Sequence, residues 1–166
     1  MSEALEPWSE FNVAMVGATA ALAGLLIVAM SVNIGAIMSS KTLPARAAAS
    51  IATLVLAIVV TGLALAPGQP LWAYGIEVLV ATAIAAAFEV HAVRAIFHDD
   101  QHRGTARELA AKSAAGLLPV VAYLVGAVLL LAGVVPAGLM VLGIATILAI
   151  ASAIVLAWVV LVEVLR

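Results

Sequence analysis

The chain contains no cysteine. That excludes a disulfide framework, a thiolate metal site and a cysteine nucleophile. Charge is scarce as well. Asp, Glu, Lys and Arg make up 10% of the 166 residues, against about 25% in soluble domains. A formal net charge of −2 is far too small to draw a nucleic acid. The opening MSEALEPWSEF holds no Lys or Arg, so it lacks the basic region that begins a secretory signal peptide. No glycine-rich loop follows a strand pattern, and no serine sits in a nucleophile-elbow context. No catalytic set emerges, and no cofactor motif.

What is abundant is apolar sequence. Hydrophobic residues make up 66% of the chain and the mean hydropathy is +1.28. The apolar residues come in runs of about 20 or more, the length that crosses a hydrocarbon core of about 30 Å. A bilayer admits only helices or closed barrels, and these runs are too long for barrel strands. The expectation is an all-α polytopic helix bundle forming a single transmembrane domain over 1–166, with the lipid bilayer as its first partner.

Five spans are predicted, at about 12–37, 45–66, 72–97, 113–132 and 136–165, with a polar loop at 98–112. Pro44 suits the first turn of the second span, where its missing N–H is not needed. Pro67-Gly68 stops that span, and Gly133 to Pro136 turns the fourth into the fifth. Thr105 and Glu108 read as a capping box that starts a helix near Ala106. Pro119 is expected to kink the fourth span.

Basic residues orient this plan. Lys41 and Arg46 flank the first loop; Arg94, Arg103, Arg107 and Lys112 flank or occupy the third; Arg166 ends the chain. All seven fall on one side of a five-span chain. The positive-inside rule makes that side cytoplasmic, so the N-terminus is expected outside and the C-terminus inside. Trp8, Trp72 and Tyr74 then fall at the outer interface as an aromatic belt.

HDDQHRG, from His98, is the most polar stretch. On a helix, His98 and His102 would share a face and reach one metal with Asp99. Gly104 and the cap at Thr105 make it a turn instead, with no further fixed ligands, so no metal site is expected there.

Polar and small residues within the spans carry the remaining information, because polar groups are costly in lipid. In the first span Gly17, Ala21, Gly24, Val28, Ser31 and Gly35 form one stripe, a pattern that lets helix backbones approach closely. It packs within the bundle or forms a subunit interface. Arg46, Ser50, Thr53, Ala57 and Ala64 share a face of the second span, with Thr61 nearby. Thr82, Ala85, Glu89 and Ala92 share one on the third, and Ala145, Ser152 and Glu163 one on the fifth. These three faces are expected to meet, bringing Arg46, Glu89 and Glu163 into an inner-leaflet polar cluster. Near the outer surface Glu77 snorkels, or meets Gln69 or Thr61.

WSEFNVAMVGATAALAGLLIVAMSVNI carries a W-x-x-F start, a GA-x-AAL-x-GL core and a later S-x-N. With LPARA, LALAPGQ and the terminal AWVVLVEVLR, it resembles a group of small, uncharacterised bacterial multi-pass membrane proteins. Some members are labelled as modulators of the FtsH protease. The resemblance covers most of the chain and implies a bacterial inner-membrane location, with no agreed functional residues. Two functions are compatible with the sequence. One is a non-enzymatic protein acting through helix–helix contacts, as a homo-oligomer or an accessory subunit bound to another membrane protein. The other is a small proton or cation channel or transporter using Glu77 and Glu89.

Overall fold

The breaks between helices within the described residues have local causes. A computed structural model describes residues 3–98 and 106–164, with side chains from 113 to 159 in the second stretch. A single 3-10 turn, Glu6–Trp8, leads into α1 (Ser9–Val32). The expectation of one unbroken first span to residue 37 is corrected at Asn33. There the side-chain Nδ2 donates to the Ala29 carbonyl at 2.9 Å, beside a long backbone bond of 3.3 Å to the same oxygen. An Asn side chain that competes for a helix carbonyl weakens the ladder, and a short α2 (Ile34–Ser39) follows the break.

Ser40 Oγ then accepts bonds from the Thr42 and Leu43 amides at 3.4 and 3.3 Å. These start α3 (Leu43–Ala64), with Pro44 in its first turn as expected. Gly68 takes a positive φ of 72° in the loop before α4 (Leu71–Phe97). α5 (Ala106–Leu131) begins where the capping signal placed a helix start and runs continuously through Pro119. It closes in a Schellman motif. Gly133 has φ 81°, its amide bonds Leu130 O at 3.1 Å, and the Val134 amide bonds Leu129 O at 2.9 Å. The chain reverses there into α6 (Val135–Val164).

Among the described residues there is no strand, and five helices are long and apolar enough to cross a membrane. The bundle exterior agrees with that: Leu25, Val80, Ile84, Val125 and Ile147 all point outward and are exposed. Such a large apolar exterior suits lipid rather than water.

α3 is the hub. Among the described residues it touches α1, α2, α4, α5 and α6, whereas α4 reaches only α3 and α5. Lipid supplies no hydrophobic force between helices, so close packing of small residues holds them together. Ala57 of α3, Ala85 of α4, Ala127 of α5, and Ala145 and Ala149 of α6 are all buried. The three small, hydroxyl-bearing faces on α3, α4 and α6 do turn inward: Thr53, Thr82 and Ala145 are buried in the bundle.

The face that α1 turns inward is another one. Asn12, Thr19, Ala23 and Leu26 are its buried residues. Gly17, Ala21, Gly24, Val28, Ser31 and Gly35 are exposed, and a Cβ built on Gly17, Gly24 or Gly35 would meet nothing within 4 Å. Of the two placements open to this stripe, packing within the bundle is not seen among the described residues, because α1 rests on α3 through the opposite side. The glycines that do permit close approach lie elsewhere. Gly126 on α5 and Gly138 on α6 face each other across the hairpin, and Gly143 lies under the Trp8 ring.

Candidate functional site

The polar residues of the bundle gather at its two ends. At one end lie Trp8, the end of α3, the starts of α4 and α6, and the end of α5 (the Trp8 end). At the other lie the start of α3, the end of α4 and the described end of α6 (the Arg46 end).

At the Arg46 end, four helices enclose a cavity of about 50 Å³. α3 contributes Arg46, Ala49 and Ser50. α4 contributes Glu89 and Ala92, α5 contributes Ser113 and Gly116, and α6 contributes Ser152. Glu89 is only 5% exposed. Thr53 Oγ1 donates to its Oε1 at 3.2 Å and also bonds the Ala49 carbonyl at 3.0 Å. Oε2 lies against Gly116, where any Cβ would overlap it. That glycine is what lets the carboxylate sit on the α5 backbone. Arg46 is half-buried in the same cavity, and its charge acts on Glu89. Ser152 Oγ donates across to the Ala115 carbonyl at 2.8 Å, tying α6 to α5.

The structure thus brings two of the three expected cluster members, Arg46 and Glu89, to one cavity. Glu163 lies in the last turn of α6, and its side chain falls outside the described residues. Sequence reasoning missed Ser113 and Gly116. Ser113 was taken only as the start of a span, and Gly116 has no signal of its own until α5 is laid against Glu89.

At the Trp8 end, Gln69 Nε2 donates to Glu77 Oε2, one of the two pairings open to Glu77. Thr61 does not join them. It is buried, and its hydroxyl donates back to the Ala57 carbonyl at 2.7 Å, while its side chain lines a smaller cavity of about 10 Å³ with Trp8, Asn12, Tyr74 and Thr146. Tyr74 corrects the expected aromatic belt. It is buried, and its hydroxyl donates to the Val60 carbonyl at 3.2 Å. Trp72 remains exposed, and Trp8 is half-buried with Phe11 edge-on at 5.7 Å.

Thr82 and the Tyr123–Thr146 pair are satisfied within the bundle. Thr82 bonds the Val78 carbonyl at 2.7 Å. Tyr123 donates to Thr146 Oγ1 at 2.9 Å, and Thr146 donates to the Leu142 carbonyl at 3.0 Å. The Tyr123–Thr146 pair, also missed from sequence, links α5 to α6. A third, wholly apolar groove of about 330 Å³ lies between α3 and α4 and offers no polar group to a ligand.

His98 Nδ1 lies 2.8 Å from the Arg94 carbonyl at the end of α4. Asp99, His102 and the rest of HDDQHRG fall outside the described residues. Among the described residues no group of His, Asp and Glu is arranged to hold a metal. In comparisons with known proteins, no family model, no curated protein and no solved structure matches this chain.

Proposed function

We propose that the chain is a five-span integral membrane protein that works through helix–helix contacts, as a homo-oligomer or an accessory subunit of a membrane complex. The observation that carries this reading is the outward placement of the α1 stripe. Gly17, Ala21, Gly24, Val28, Ser31 and Gly35 form a nearly bulk-free face that none of the described residues covers. In lipid, helices associate where small residues let backbones approach. A face of this kind on the exterior is suited to a helix from another molecule.

Gly24→Leu tests it. Nothing within the chain meets a Cβ at Gly24, so the monomer should fold and melt as wild type. The assembled species, read by native-size measurement in mild detergent or by crosslinking in the membrane, should weaken at least about tenfold, or about 1.4 kcal/mol. An unchanged assembly would mean that this face meets only lipid.

The orientation that accompanies this reading has the N-terminus outside and the C-terminus inside. It is supported by the one-sided distribution of Lys and Arg. The membrane it assigns is the bacterial cytoplasmic membrane, on the resemblance of the span landmarks. With no native cysteine to interfere, single cysteines report sidedness directly. Ser2→Cys and Pro67→Cys should react with an impermeant thiol reagent added to intact cells, and Gly104→Cys should react only after lysis. External labelling of Gly104→Cys reverses the orientation.

A further inference from the structure

The cavity at the Arg46 end contains two hydroxyls that the protein does not satisfy. Ser50 and Ser113 are each 8% exposed, and neither Oγ has a hydrogen-bond partner among the described residues. Both line the cavity, from opposite helices, together with the Glu89 carboxylate. Buried polar groups without a protein partner are ordinarily satisfied by internal water. A water needs two to four polar partners and at least about 10–15 Å³, so a cavity of about 50 Å³ holds about three. That is too small for a lipid headgroup or a metabolite. The Arg46 guanidinium, the charged neighbour of Glu89 in this cavity, opposes a metal cation.

We propose that this cavity is a hydrated proton-exchange site, in which Glu89 takes up and releases a proton through water held by Ser50 and Ser113. The step is a simple transfer. A cavity water gives a proton to Glu89 Oε2 as it takes one from a hydronium ion outside the cavity, so no free cation rests beside Arg46. The water's O–H bond breaks, the O–H bond of the carboxylic acid forms, and neutral water remains. Thr53 holds Oε1 and so leaves Oε2 as the receiving atom.

The groups that face Glu89 define the site. α3 presents Arg46, α5 presents Ser113 and Gly116, and α6 presents Ser152. His91 and Arg94, on α4 itself, are exposed on other faces. The site is closed off toward the Trp8 end. Ala57, Val78, Ala85, Tyr123 and Ala149 are buried between it and the cavity at the Trp8 end. This goes beyond the contact function proposed above and does not depend on it.

Infrared difference spectra of the purified protein in lipid, taken between two pH values in H₂O and in D₂O, test the proposal. A band from a protonated carboxyl should appear at the lower pH, shift promptly in D₂O, and be lost in Glu89→Gln. Ser50→Ala with Ser113→Ala should move that band, because its water partners are disturbed. This second variant keeps Glu89 and so covers the case in which Glu89→Gln fails to fold. No band lost in Glu89→Gln, a band that exchanges only on unfolding, or a band unmoved in the double serine variant would each overturn the proposal. In liposomes the wild-type protein should hold an imposed pH gradient as protein-free vesicles do. A leak abolished by Glu89→Gln would replace the closed-off site with a through-channel.

Discussion

Gly138→Leu should destabilise the protein by about 3 kcal/mol or more, the upper end of what overpacking a filled interior costs. A Cβ at Gly138 would lie 2.9 Å from Leu130 Cγ and Cδ2 and 3.0 Å from the Leu130 backbone nitrogen. A side chain can rotate away, but a helical backbone nitrogen moves only with its helix. The remaining leucine atoms would have to enter the contact between α5 and α6, where Leu130 and Leu142 are already buried. The expected result is a lower folded yield and a lower melting temperature in detergent. Gly62→Ala supplies the contrast. It also places a methyl on a helix glycine, but no atom lies within 4 Å of it. It should leave stability unchanged or raise it by up to about 1 kcal/mol, the propensity difference between Gly and Ala. If Gly138→Leu melts with the wild type, the helices of this hairpin stand further apart than described.

The second large effect concerns Glu89 and Arg46. Removing one partner of a buried charge pair costs about 3–5 kcal/mol, because the other charge is left uncompensated. Arg46 is only half-buried, so water screens part of that cost and a smaller penalty is expected here. The coupling between Glu89→Gln and Arg46→Gln should still be about 1–3 kcal/mol. The double variant should be more stable than the sum of the single losses predicts, since it leaves no lone charge. A double-mutant cycle on thermal stability in lipid measures this. Strict additivity would show that the two residues share a cavity without interacting.

The number of apolar spans and most of their ends were legible because run length, Pro44, Pro67 and the glycine turns each act locally; the break at Asn33 was not. The inward faces of α3 and α4 were legible too. A carboxylate in lipid is costly unless it turns inward, so Glu89 disclosed the face of α4 that Thr82 shares, and Thr53 beside Arg46 and Ser50 disclosed that of α3. α1 was not legible in this way. Its hydroxyls lie on both sides, Thr19 buried and Ser31 exposed, and each bonds the carbonyl four residues back, at 2.7 and 2.8 Å. A glycine stripe on such a helix tells where a neighbour can approach, not whether that neighbour belongs to the same chain. The true close contacts at Gly126 and Gly138 carried a different signal. Each stands six residues from Ala132, and such symmetry about a turn becomes meaningful only once the hairpin is known to be tight. Gly116 could not be found at all without the α4–α5 pairing, since its role is to leave room for a side chain on another helix.

The buried layer between the two cavities also decides how the protein would respond to voltage. A membrane potential falls mainly across the part of the structure that water does not enter. Carrying one elementary charge through the whole of that drop changes its energy by about 2.3 kcal/mol per 100 mV. Here the insulating part is the stretch holding Ala57, Val78, Ala85, Tyr123 and Ala149. Glu89 lies on the Arg46 side of it, at the wall of the cavity described there. With that cavity hydrated as proposed, its charge sits outside most of the electric field. A group so placed answers to the acidity of one compartment and stays nearly indifferent to the potential between the two.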